Sequence, residues 1–215
     1  MLAATGRGEK SVDEREKWEQ RYRQATEPFY GRTPSPFLQR SLELLPGPGR
    51  CLDAAGGEGR NGAFLASLGW EVLLVDVALA GLARARGLAF GNRPAGPGGV
   101  RIVCADLGNP PLRLAAGSLD LVLVVNYHDR ALVAAARHWL RPGGVVLVEG
   151  FAREQLGRPS GGPQEPELLW RPNELLEAAS GLRVVWYEDR LTAGDDNPRH
   201  RGEKWVVRLI ARREG

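Results

Sequence analysis

The chain is expected to fold as an α/β domain: a largely parallel sheet with helices on both faces and an antiparallel hairpin at its C-terminal end. Three observations predict this. Strand-like apolar runs and helical patterns alternate through the middle of the chain, which is the form βαβ units take in a sequence. Residues 119–125 are apolar on both faces, as a strand buried within a parallel sheet is. The last two β-like runs, 182–191 and 203–210, are joined by a hairpin-length loop, so they should pair antiparallel.

The elements follow in order. Residues 1–10 read as disordered. Ser11-Val-Asp-Glu14 has capping-box spacing, and Trp18 and Tyr22 recur at i, i+4 on a helix to about Ala25. Ser35 caps a second helix over 36–45, with Pro36 at its first position. Strands are expected at 51–53, 72–75, 100–104, 119–125 and 145–148. Between them lie helices around Phe64, Leu65 and Leu68, over 79–89 (Leu79, Leu82, Ala83 and Leu88 toward the sheet) and over 131–140. Gly69 stops the first of these at its C′ position. Residues 91–99 read as loop, 151–170 as a flexible segment rich in glycine and proline, and Pro172 as the start of a helix. Residues 1–45 are expected to be a helical cover or lid and 46–215 one globular unit.

With 215 residues, 43% of them apolar and 26% charged, the chain can bury one good core. No apolar run is long enough to span a bilayer, and the first ten residues lack the apolar stretch of a signal peptide. Cys51 and Cys104 fall in expected interior strands and read as reduced hydrophobes, which fits a cytoplasmic protein. A net charge of +3, with basic residues scattered among acids, gives no footprint for nucleic acid or membrane. No Cys/His ligand set exists for a metal. A monomer or a homodimer is equally compatible with these data.

The chemistry concentrates between Arg50 and Asp76. A short strand ends in Asp53, a turn of small residues runs from Ala54 to Gly59, a helix follows, and a second strand ends in Asp76. Gly57 and Gly59 can adopt backbone angles closed to other residues and let a ligand lie against the main chain. The next helix presents free N–H groups to that ligand, and Asp76 stands where a carboxylate accepts both hydroxyls of a ribose. An adenine nucleoside or nucleotide is therefore the expected ligand. Gly57-Glu-Gly-Arg-Asn-Gly62 reads as the G-x-G-x-x-G dinucleotide fingerprint, but three residues separate the strand from its first glycine. The spacing Asp53-x-Ala55-x-Gly57-x-Gly59 instead resembles motif I of the class I S-adenosylmethionine-dependent methyltransferases, with Ala55 in place of the usual first glycine. The fold that this resemblance implies is the Rossmann-like class I methyltransferase sheet.

Within that superfamily the chain resembles the tellurite-resistance-type small-molecule methyltransferases. The residues that carry the likeness are Trp18-Glu-Gln-Arg-Tyr22, Tyr30-Gly31, Glu58-Gly-Arg-Asn61, Phe64 to Val72, His200-Arg-Gly202 and Arg208. The resemblance implies S-adenosylmethionine as cofactor and S-adenosylhomocysteine as product. It places Asp53, Ala55, Gly57, Gly59, Asp76, Val77 and Asn126 on the cofactor, with Asp106 on the adenine amino group and the N–H of Leu107 on the ring. Tyr30, Arg201 and Arg208 would face a small-molecule substrate. Asn109-Pro-Pro-Leu112 imitates the N-P-P-aromatic motif of amino-group methyltransferases, but follows the third strand and lacks the aromatic; it reads as an extended loop.

His128, just past the tip of the fourth strand, and His200-Arg201, in the terminal hairpin loop, are the candidate catalytic residues. His138, within a helix, reads as structural. The expected activity is methyl transfer to a small anionic, thiol or chalcogen acceptor. A soft anion or thiolate needs only cations to hold it, whereas a neutral hydroxyl or amine needs a histidine to take its proton, and the sequence leaves both open. An NAD(P)-dependent oxidoreductase and a non-catalytic S-adenosylmethionine-binding module are the alternatives.

Overall fold

The computed structural model describes residues 6–91, 98–108, 114–193 and 202–215. The chain enters through helices α1 (Gly6–Gln24) and α2 (Pro36–Arg40). Then come β1 (Arg50–Ala54), α3 (Arg60–Ser67), β2 (Glu71–Asp76), α4 (Leu79–Gly91) and β3 (Gly99–Cys104). The second half runs β4 (Leu119–Val125), α5 (Arg130–Trp139), β5 (Leu140–Phe151), α6 (Glu174–Ala178), β6 (Arg183–Thr192) and β7 (Lys204–Arg212). The strands form one sheet in the order β3-β2-β1-β4-β5-β7-β6. β1 to β5 are mutually parallel, and β7 runs antiparallel to both β5 and β6. This is the Rossmann-like sheet of class I methyltransferases with its C-terminal antiparallel hairpin.

Strand alternation divides the core into two layers. Leu52, Ala54, Val122, Val124, Val146 and Val148 pack with Leu132, Val133 and Ala136 of α5 and Leu175 and Ala178 of α6. Cys51, Leu121, Leu123, Val145 and Leu147 face the other way, onto Phe37, Leu38, Leu65, Leu82 and Ala85. Every residue of β4 is buried, Asp120 included, whose carboxylate accepts from Arg50 N (2.7 Å) and pairs with Arg141. Ser35 caps α2, its hydroxyl accepting from the N–H groups of Phe37 and Leu38. Gly69, at φ +95°, ends the turn after α3.

Several expectations are corrected. α1 begins at Gly6, ahead of Ser11. The helix expected over 36–45 stops at Arg40 and passes into a 3₁₀ turn at Leu42–Leu44. On α4 it is Leu82 and Ala85 that face the sheet, while Leu79 and Ala83 are exposed; Leu68 after α3 is exposed too. Cys104 is exposed, because its strand β3 lies at the sheet edge. β5 takes in Arg141–Gly144, ahead of the strand expected at 145–148; a register shift against β4 absorbs the extra residues. The segment 151–170 is anchored by fully buried Gln155. Gln155 donates to Ser160 Oγ (2.9 Å) and Gly161 O (2.6 Å) and accepts from Trp205 N (2.7 Å). Residues 92–97 and Asn109–Leu112 lie outside the described residues.

The C-terminal strands are held by charge as well as by apolar contact. Arg208 of β7 is only 1% exposed and sits in register with Glu149 on one side and Glu188 on the other. Its Nε donates to Glu149 Oε1 (2.7 Å) and its Nη1 to Glu188 Oε1 (2.6 Å), and its guanidinium lies over the Phe37 ring. The Ser35 hydroxyl donates to the remaining Glu149 oxygen, which joins the N-terminal segment to the ladder. Removing the cation would leave the buried Glu149 carboxylate without its ion-pair partner, a situation that costs about 3–5 kcal/mol, while Glu188 keeps Arg40 (3.3 Å) and Arg190 (2.9 Å). Arg208→Met should lower unfolding free energy in urea by that amount, and adding Glu149→Leu should recover part of it. A single variant as stable as the parent would show that the ladder carries no net energy.

Candidate functional site

Strand order reverses between β1 and β4, and the crevice of an open α/β sheet lies beyond the carboxyl ends of the strands at that point. The chain leaves β1 through a turn with three left-handed residues: Ala55 (φ +53°), Gly57 (+55°) and Gly59 (+80°). Gly59 also caps α3. Ala55 holds with a Cβ a conformation that normally favours glycine, a strain of about 1–2 kcal/mol. A Cβ on Gly62 would lie 2.9 Å from Asp53 Oδ2, so this glycine lets α3 approach the end of β1 closely.

Asp76 closes the turn from the other side. Its Oδ2 accepts from Gly57 N (2.8 Å) and its Oδ1 from Ala78 N (2.8 Å). Burial pushes its pKa up, against the pull of the Ala78, Gly57 and Val77 N–H groups. Asp53 is more extreme. It is 1% exposed, burial raises its pKa to about 7 despite the Gly62 N–H and the Arg60 charge, and Oδ2 has no hydrogen-bond partner among the described residues. Arg60 is the cation facing it. Burial lowers the pKa of that guanidinium, against the opposing charges of Glu149 and Asp53; it donates to Thr33 O (2.9 Å) and lies over the Tyr30 ring.

The N-terminal segment packs onto this turn. Tyr22 is 4% exposed, and a Cβ added to Gly57 would collide with its hydroxyl and one on Gly81 with its ring. Trp18, Tyr22, Phe29 and Tyr30 form one aromatic cluster, with centroid separations from 4.9 to 6.3 Å. Polar ties fasten it: Ala80 N donates to Glu19 (3.0 Å), Phe29 N to Glu58 (2.5 Å), and Arg84 to Glu58 (2.9 Å).

The other expected residues spread along the same edge. Asp106, half-buried after β3, accepts from Gly108 N (2.8 Å), with Leu107 beside it. Val77 follows Asp76. Asn126 takes φ +58° at the tip of β4, and its N–H donates to Glu149 O (2.8 Å). His128 lies two residues on, edge to face with Trp170 and 3.6 Å from Glu174. Arg208 is committed to the buried ladder described above. His200 and Arg201 lie outside the described residues. Sequence reading passed over Tyr22, Arg60 and Glu174 as site residues. For the first two, the Trp-x-x-x-Tyr spacing and the place of an arginine inside the glycine turn were the available signals; Glu174 gave none.

The turn fits an S-adenosyl ligand. A strand-tip carboxylate with acceptor sites to spare and an orphaned acid at Asp53 suit a molecule carrying a ribose and an ammonium group, and the Tyr22 hydroxyl covers Gly57 beside them. Among the described residues no cluster of His, Cys, Asp and Glu is suited to a metal, and no helix is long and apolar enough to cross a membrane.

Comparison with known proteins bears on the same region. Residues 51–144 match the family model of the methyltransferase domain. No curated protein sequence matches the chain. Among solved structures, TehB from Haemophilus influenzae aligns at 15% identity and TM-score 0.64, over 82% of this chain and 61% of its own, so the chain spans under two thirds of that protein. An S-adenosylmethionine-dependent methyltransferase from Methanosarcina mazei aligns at 14% identity and TM-score 0.64, over 85% of this chain and 99% of its own. The [4+2]-cyclase SpnF aligns at 14% identity and TM-score 0.62, over 100% and 98%. At such identities the likeness establishes the fold, and SpnF is a reminder that one fold hosts more than one activity. The family match is confined to residues 51–144, and the structural likeness establishes the class I methyltransferase fold around it.

Proposed function

We propose that the chain transfers the methyl group of S-adenosylmethionine to a small acceptor of the anionic, thiol or chalcogen-bearing class. One observation carries the cofactor part of this reading: the left-handed turn and the strand-tip carboxylate meet at the switch point, with Gly57 N on Asp76 Oδ2 at 2.8 Å. Each Asp76 oxygen holds one backbone N–H and can accept more, so the carboxylate would take the ribose hydroxyls. The amino-acid portion would take the place of the Tyr22 hydroxyl over Gly57, beside Asp53, Ala55 and Gly59, and Asp106, Leu107, Val77 and Asn126 would surround the adenosine. The cofactor supplies a methyl already activated by positive sulfur. The protein's part is therefore to align the acceptor and exclude water. Residues 46–215 would form the transferase domain and residues 1–45 a lid whose aromatic cluster keeps water out. Tyr30, and Arg201 in the terminal loop, would face the acceptor. The family match favours this reading over an NAD(P)-dependent oxidoreductase. The reading implies a cytoplasmic enzyme acting on a small molecule, as a monomer or homodimer.

Calorimetric titration should show S-adenosylhomocysteine binding and no binding of NADH. Asp76→Ala removes charge-assisted hydrogen bonds worth about 1.5–3 kcal/mol, so affinity should fall roughly ten- to a hundredfold. Unchanged affinity in a folded variant would take Asp76 off the ribose.

Asp53 generates a pH prediction. Its folded pKa of about 7 lies above the ordinary value near 4, so the native state binds the extra proton. The stability linked to that proton is full below pH about 4 and lost as pH rises through about 7. Asp53→Asn should therefore stabilise the ligand-free protein at pH 8 and leave it nearly unchanged at pH 4. Equal effects at both values, by chemical denaturation, would contradict the buried acid.

The lid makes a separate prediction: S-adenosylhomocysteine should slow limited proteolysis within residues 1–45. Equal cleavage with and without it would reduce the segment to a fixed structural cover.

A further inference from the structure

Beyond the tip of β4 lies a cavity of about 400 Å³, lined by His128, Arg153, Glu167, Leu169, Arg171 and Glu174. That volume suits a small organic molecule. One wall of this open cavity is the 151–170 segment, which Gln155 and Trp170 pin to the sheet.

The side chains in it are arranged in a chain. Glu174 is 7% exposed and fixed at both oxygens: Oε2 accepts from Arg171 N (3.0 Å) and Oε1 from Arg171 Nη2 (3.1 Å). Burial pushes its pKa up, but the Arg171 bonds and the neighbouring His128 outweigh that and hold it below the ordinary value. His128 Nε2 stands 3.6 Å from Glu174 Oε2, while its ring meets Trp170 edge to face with centroids 4.3 Å apart. One buried nitrogen here, His128 Nε2, lacks a hydrogen-bond partner among the described residues. Buried polar atoms without partners call for a bound group or water. A shift of about half an ångström would turn the His128–Glu174 approach into a hydrogen bond, and such contacts are commonly long before substrate binds.

We propose that this cavity is the acceptor pocket and that Glu174 is the positioning residue which makes His128 the general base of the transfer. This rests on the methyltransferase reading and narrows it to an acceptor that arrives protonated, a thiol or hydroxyl rather than a preformed anion. A carboxylate at Nε2 selects the tautomer with its proton there and leaves the lone pair on Nδ1. Nδ1 then takes the acceptor's proton as the acceptor's lone pair bonds to the methyl carbon. The carbon–sulfur bond of the donor breaks with its electrons staying on sulfur, and the imidazolium afterwards returns the proton to solvent. Arg153 would hold an anionic substituent of the acceptor.

The test uses the full chain with S-adenosylmethionine and two probes: 2-mercaptoethanol, a thiol protonated at neutral pH, and inorganic selenite, an anion with a free lone pair. Glu174→Gln should slow transfer to the thiol roughly tenfold and His128→Asn roughly a hundredfold, with selenite unaffected and Glu174→Asp partly restoring the rate. Independently of turnover, the ¹⁵N signals of His128 should report the Nε2–H tautomer in the parent and lose that bias in Glu174→Gln. Equal loss with both probes, no loss with the thiol, no thiol transfer by the parent, or an unchanged tautomer each overturns the dyad. Calorimetry with S-adenosylhomocysteine on the same preparations separates the two levels: binding with a failed dyad leaves the methyltransferase reading standing, and absent binding removes it.

Discussion

The carboxylate of Asp76 is the constraint on which the site depends. Because β1 and β2 pair with Ala54 opposite Val75, the turn after β1 starts beside the point where Asp76 ties it down. One oxygen holds the turn and the other holds the entry to α4, so a single side chain sets two loops at once. Burial opposes the charged form and the backbone N–H groups favour it. An anion in that balance gains from every further donor, and ligand hydroxyls are such donors. The force that shapes the turn thus also sets what the turn prefers to bind.

Asp53 and Asp76 lie near enough that each charge disfavours the other, and Arg60 answers only part of it. Tyr22 completes the enclosure by removing water from the Asp76 side, and its own pKa rises well above the ordinary value through burial and then the Asp76 charge. Without ligand the crevice therefore holds more buried acid than buried base. A cationic ligand relieves that imbalance and a neutral one does not, which gives the sulfonium and ammonium of S-adenosylmethionine a reason to be chosen over an uncharged nucleoside.

Most of the fold was legible because the signals were local. Alternation of strands and helices, the both-faced apolar run of β4 and the Ser35-Pro36 cap all depend on neighbours in sequence, and each stands in the structure. Boundaries failed where tertiary contacts decide them. Arg141–Gly144 join β5 because β4 offers a partner across a register shift, and Gln155 holds its loop through backbone groups fifty residues away. The site was legible in the same proportion. The turn and Asp76 are contiguous with their strands, but Glu174 reaches His128 only through the packing of α6 on α5, and nothing in its local sequence marks it.

Arg208 shows how register decides what a charge is for. A strand presents alternate residues to opposite faces, so its sequence position allowed either a ligand contact or a core clamp. The antiparallel pairing sets Glu149, Arg208 and Glu188 directly opposite one another across β5, β7 and β6. A slip of one residue would put Leu209 between the carboxylates of Glu149 and Glu188 and turn the guanidinium into the apolar layer under α6. Both consequences are costly, so the ladder fixes the register of the one strand that runs against the rest of the sheet. An arginine buried for that purpose has its guanidinium committed to the strands it joins.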